Sequence, residues 1–92
     1  MKQAVIIEAE GPIIGVEDFE DRPPLKWLQD AVGGLIERVR LEPHFEKMGY
    51  ELWAHEEALL RNEPVLNETA TFIAGTPIFG TVVLLGPPEV DA

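Results

Sequence analysis

His44 and the run His55-Glu56-Glu57 are the residues of this sequence that could ligate a metal, since imidazole nitrogen and carboxylate oxygen together suit zinc or manganese. Their spacing matches no ligand motif, and solvated side chains at a turn account for them better. No metal and no cofactor is therefore expected. Covalent catalysis is narrowed as well, because the chain has neither cysteine nor serine. Threonine, lysine, tyrosine and carboxylates remain as nucleophiles. Carboxylate pairs for acid–base work are so frequent among 17 acidic residues that none stands out. The sequence points away from an enzyme.

Gly33-Gly34, in the stretch "LQDAVGGLIERVRL", raises the question of a phosphate cradle. Such a cradle needs backbone N–H groups at the start of a helix, where the macrodipole is positive. Here the glycines follow the helical pattern, at the carbonyl end, so they predict a left-handed cap and a corner. The opposite end of that helix has Pro23 and Pro24, which lack N–H donors, among acids.

Charge is the strongest compositional feature: 17 acidic against 7 basic side chains, formal net charge −10. That balance repels a phosphate backbone, so direct binding of nucleic acid is not expected. A protein partner with a basic surface is. Glu8, Glu10, Glu17, Asp18, Glu20 and Asp21 are the candidate contact residues, including as a mimic of nucleic acid. The competing reading of the same acids is solubility alone. A second candidate surface is Arg38, Arg40 and Trp53, which would share the outer face of a sheet and could take a small molecule or peptide.

Absent cysteine excludes a disulfide scaffold and fits a reducing compartment, so the cytoplasm is expected. No run of eighteen apolar residues is present, and acid interrupts the N-terminal segment too early for a signal peptide. Two asparagines, two glutamines and eight prolines are compatible with a thermophilic source or a GC-rich genome.

The elements that must position these residues follow from periodicity. Residues 3 to 9 are a β-branched apolar run and predict a buried strand. Residues 13 to 19 predict a second extended piece, with Gly15 marking a bulge or edge. Asp21 or a neighbour is expected to cap a helix from about Pro24 to Val32, with Leu25, Leu28 and Val32 inward and Trp27 at the rim. Residues 35 to 41 and 50 to 55 alternate and predict antiparallel strands, with Leu35, Val39 and Leu41 on one face. His44 to Gly49 are expected to be a connection. Asn67 should cap a short helix ending at Gly75, and "IFGTVVLL", Ile78 to Leu85, predicts a strand buried on both faces. The resulting expectation is one α+β domain over 1–92, with a mainly antiparallel sheet of about four strands. One helix packs on a face, a second is short, and an acidic tail at 87–92 is loose. An uncovered sheet face would make a homodimer reasonable.

The helix, then "VGGLIERV", "YELWAHEEALL", "EPVLNETAT" and "FGTVVLLG", together resemble the family grouped as domain of unknown function 3846. Its members occur in bacteria and often on phages and plasmids. Their shared pattern has Leu-Gln before Val-Gly-Gly, an Asn-Glu-Glu-Gly turn, a Leu-Pro-x-Asn-x-x-Ala segment and a final Gly-Thr-hydrophobic strand. Leu28, Gln29, Val32, Gly33, Gly34, Glu56, Glu57, Asn67, Ala70, Gly80 and Thr81 match it, over about residues 25 to 86. His55 and Ala58 replace the usual Asn and Gly of the turn, and Pro64 stands earlier than the usual proline. The resemblance implies an architecture and a mobile-element origin, and supplies no activity.

Three functions follow in order. The first is a non-enzymatic interaction module of a phage or mobile element, acting on a nucleic-acid-binding or defence protein through its acids. The second is a ligand-binding accessory domain using Arg38, Arg40 and Trp53. The third is a metal-dependent enzyme on His44, His55, Glu56 and Glu57. No membrane association is expected in any of them.

Overall fold

In the computed structural model, residues 2–10, 13–60 and 64–87 are described. Two strands open the chain, β1 (Lys2–Ile7) and β2 (Ile13–Phe19), followed by helix α1 (Leu25–Val32) and strand β3 (Ile36–Val39). Then come helix α2 (Pro43–Lys47), strand β4 (Glu51–His55), a 3₁₀ turn (Ala58–Leu60), helix α3 (Glu68–Ala74) and strand β5 (Val82–Leu85). The strands form one sheet in the order β2-β1-β5-β4-β3, and every neighbouring pair is antiparallel. The α+β expectation holds, with five strands where about four were expected.

The last strand occupies the middle of the sheet. Val82, Val83 and Leu85 of β5 are fully buried, so both faces must be covered. Successive residues point to opposite faces. On one side Ala4, Val83 and Leu85 meet Leu28 and Val32 of α1, with Ile6, Ile36 and Trp53 partly buried around them. Phe19 of β2 meets Trp27 of α1 edge to face at 5.0 Å. On the other side Ile7, Leu52, Ala54 and Val82 meet Ala70, Ile73 and Ala74 of α3. Two alanines on the inner face of α3 let it approach the sheet closely. Helix α1 thus packs on one face of the sheet and α3 on the other.

Local signals explain most boundaries. The β1–β2 pairing shifts register between Ile6 and Ile7, next to Gly15, where the bulge was expected. Helix α1 has Pro24 at its N-cap and no side-chain cap, so Asp21 does not serve as one. Two prolines preset the backbone instead. The helix ends at Gly33, whose φ of 88° is left-handed and whose N–H donates to the Gln29 carbonyl at 2.9 Å. A side chain at Gly34 would collide with the His55 ring. The glycine pair is thus a corner and a close approach, as its position predicted.

Three expectations fail for physical reasons. Residues 43–47 form α2 rather than a plain connection, because Pro43 sits at the first helical turn and five residues are too few to show a helical period. Leu35 is 56% exposed, and β3 buries Ile36 toward α1 instead. Leu25, expected in the α1 stripe, is 61% exposed. In addition, β5 begins at Val82 rather than Ile78, since the backbone at 78–80 bonds to the approach to α3. There Asn67 N–H donates to the Ile78 carbonyl at 2.8 Å and Gly80 N–H to the Val65 carbonyl at 2.9 Å. The acidic tail falls mainly outside the described residues.

Asn67 does more than cap. Its Oδ1 accepts from the Ala70 N–H at 3.0 Å, as expected of an N-cap, while its Nδ2 donates to the carbonyls of Ile7 at 3.1 Å and Gly80 at 2.9 Å. The side chain is buried and ties α3 to β1 and to the segment before β5. Asn67→Ala removes all three bonds, and Asn67→Asp keeps the cap but faces two carbonyls with oxygen. Each is expected to lower unfolding free energy by about 3 kcal/mol in urea titration. A loss below about 1 kcal/mol would show that the amide does not hold α3 in place.

Candidate functional site

The outer surface of α3 exposes a large aromatic side chain, Phe72. Glu68 and Phe72 stand four residues apart and so share one side of the helix. Phe72 is 75% exposed, a large value for a phenylalanine in a chain this small. It forms one wall of a groove of about 690 Å³ with Glu42, His44, Phe45, Thr71 and Gly75, between α2 and α3. Phe45 lies edge to face with His44, Tyr50 and Phe72, at centroid distances of 5.5, 6.0 and 6.4 Å, so the floor is aromatic.

At the other end of α3 is a second hollow of about 350 Å³, lined by Ala9, Glu10, Val65, Leu66, Glu68 and Thr69. Val65 and Leu66 are themselves exposed. The two hollows and the helix between them alternate apolar surface with the carboxylates Glu10, Glu68 and Glu42. Gly75 closes the groove with a left-handed φ of 75°, and the Glu42 side chain lies where a side chain at 75 would be. Its carboxylate is thereby kept at the groove wall.

The opposite side of the sheet carries an ionic cluster. Glu51 of β4 is buried. Lys2 Nζ of β1 donates to its Oε2 at 3.0 Å, and Arg22 Nη2 from the β2–α1 connection donates to its Oε1 at 2.9 Å. Arg38 Nη1 of β3 stands 3.7 Å from the same Oε1. The Arg22 guanidinium also lies 5.8 Å from the centre of the Trp53 ring. Trp53 Nε1 is buried and has no acceptor among the described residues.

The residues singled out in the sequence are distributed over several surfaces. Arg38 and Trp53 are cross-strand partners, as the alternation suggested, but the cation over the indole is Arg22. Their face is not an outer one, since α1 covers part of it. Arg40 lies past the end of β3, beside Leu41, Pro43, Glu46 and Lys47. Glu17 and Asp18 point to opposite sides of the edge strand β2, Glu20 and Asp21 lie in the bend after it, and all four are exposed. Glu8 and Glu10 follow β1, exposed, with Glu10 at the hollow beside α3.

His44 lines the aromatic groove, while the His55 Nδ1 accepts from the Glu57 N–H at 3.0 Å. Among the described residues no three histidine or carboxylate side chains gather where they could hold a metal. No helix among them is long and apolar enough to cross a membrane. Sequence reasoning missed Phe72, Glu51, Lys2 and Arg22. A phenylalanine on the polar side of α3 was the available signal for the first.

The family model described as Domain of unknown function (DUF3846) matches residues 1–92, the whole chain. The chain belongs to the DUF3846 family. Neither a curated protein nor a solved structure matches it. The match extends the resemblance seen over residues 25 to 86 to both ends, so β1 and β2 are part of the DUF3846 unit rather than additions to it.

Glu51 links this DUF3846 fold to pH. Burial raises the affinity of its carboxyl for a proton, but the hydrogen bond and charge of Lys2 and the charges of Arg22 and Arg38 outweigh burial. The net direction is down from the ordinary value of 4.5. The folded state then binds this proton less tightly than the unfolded state. Its contribution is full above the unfolded value and is lost as pH falls through the lower folded one. Glu51→Gln is expected to cost on the order of 3 kcal/mol at neutral pH. It should also flatten the decline of stability below about pH 4.5, measured by urea unfolding across pH. Equal stability and equal acid dependence in wild type and variant would show that the cluster does not support the fold.

Proposed function

We propose that this protein is a non-enzymatic interaction module whose contact surface is the outer side of α3, and that its partner is a protein with apolar anchors inside a basic rim. The exposed Phe72 beside its aromatic groove is the observation that carries this reading. Interface energy concentrates in a few apolar or aromatic side chains that enter pockets, with polar groups around them. Phe72, the groove floor at Phe45 and the apolar Val65 and Leu66 supply the first. Glu42, Glu68 and Glu10 supply the second.

Overall charge adds direction. A surface at −10 steers cationic partners toward the chain and turns polyanions away. The acids of β2 and of the bend after it, Glu17, Asp18, Glu20 and Asp21, contribute to that field from outside the α3 surface. The role for them is attraction and rate rather than close contact. The resemblance to phage and plasmid proteins extends the proposal to a regulator encoded by a mobile element and acting on a basic, nucleic-acid-binding protein of its host.

Affinity capture from the source cells separates anchor from field. Wild type, Phe72→Ala and a variant with Glu17, Asp18, Glu20 and Asp21 changed to Gln or Asn are compared at low and high salt. Phe72→Ala is expected to lose the partner at both salt concentrations while staying as stable as wild type, since its ring is mostly solvated. The acid variant should lose retention only in part. If Phe72→Ala recovers the same proteins as wild type, the α3 surface is not the interface.

A further inference from the structure

The cations around Glu51 outnumber the carboxylate they surround. Lys2, Arg22 and Arg38 surround one carboxylate within ion-pair distance, an excess of two positive charges over Glu51 itself, with Glu20 and Asp21 preceding Arg22 in a chain whose net charge is −10. Neutralising a buried carboxylate needs only one cation. Lys2, whose side chain is 16% exposed, already lies against Oε2. Arg22 and Arg38 are 51% and 54% exposed and carry the excess to the surface.

Both guanidiniums have donors to spare. Arg22 places one N–H on Glu51, and Arg38 stands 3.7 Å away, past hydrogen-bond length. Each guanidinium has five donors and keeps its charge at any physiological pH. Two such groups converging on one oxygen, Oε1, repel each other once that single charge is shared. The backbone and the cluster nevertheless bring both to one place. Arg38 projects from β3 directly opposite Trp53, and Arg22 is set between Glu51 and the Trp53 ring.

We propose that Arg22, held between Glu51 and Trp53, and Arg38, beside the same carboxylate, form a binding site for the phosphate monoester group of a small molecule. Such a group carries about −1.5 to −2 charge at neutral pH and three acceptor oxygens, which matches the excess charge and the unused donors. Guanidinium forks suit it geometrically. The ligand is small because the field of the whole chain opposes a polyanion, while a single phosphate group can approach within the screening length of about 8 Å at physiological salt. Glu51 is then the positioning residue of the site, not a contact of the ligand. The site lies across the sheet from α3 and does not depend on the interaction surface there.

The test is titration of the 15N-labelled protein with inorganic phosphate and with phenyl phosphate at constant ionic strength. Acetate and chloride serve as controls, and the readout is NMR of the Trp53 indole N–H and the arginine side chains. Saturable shifts confined to Arg22, Arg38 and Trp53 are expected with both phosphates, and weaker or absent ones with acetate. Arg38→Gln, at an exposed position with a long ion-pair distance, is expected to remain folded and to raise Kd about tenfold or more. Arg40→Gln, outside the cluster, is expected to leave Kd unchanged. Three results would each overturn the site: no saturation by either phosphate, equal shifts with chloride, or equal affinity in Arg38→Gln and wild type.

Discussion

A four-residue strand that is apolar on both faces governs this fold. Val82, Val83 and Leu85 of β5 have no exposure at all, and β5 lies between β1 and β4. Each face of so small a sheet must therefore be covered by a helix. The chain does this with two short ones, α1 on one side and α3 on the other. Burial of apolar area, at about 25 cal/mol per Å², is the driving term. It is available only if β5 is placed in the centre, where both of its faces find partners.

Covering both faces creates a second demand, because polar groups are then drawn inward. Asn67 meets it on the α3 side with an amide whose donors and acceptor are all used. Glu51 meets it on the α1 side with charge, drawing Lys2 from β1 and Arg22 from the segment that leads into α1. Both residues join parts of the chain far apart in sequence. A buried polar group without partners costs more than most single packing contacts contribute. These two side chains therefore specify one arrangement of elements that apolar packing would leave degenerate.

What remains exposed divides by chemistry. The α3 side presents aromatic surface among carboxylates, and the α1 side presents two guanidiniums over a buried carboxylate. The net charge of −10 is common to both, and the two surfaces we propose differ in local chemistry, aromatic with carboxylates on one side and cationic on the other. The edge strand β2 carries acids toward both sides and has no strand partner on its outer edge among the described residues. Charge on an edge strand discourages pairing with other sheets.

Local chemistry in the sequence determined the elements whose cause is local. Gly33 as a left-handed stop, the bulge beside Gly15, Asn67 as an N-cap, the antiparallel pairing of residues 36–39 with 52–55 and the α+β class all follow from neighbouring residues. The family pattern is legible for the same reason. The tertiary structure alone decided what depends on residues distant in the chain. Ile78 and Phe79 leave the apolar run of β5 because their backbone bonds to the approach to α3, and Glu51 becomes a buried ion only because Lys2 and Arg22 converge on it. Periodicity records which way a side chain points along its own element. It carries no information about which other element waits there, and that is where both candidate surfaces originate.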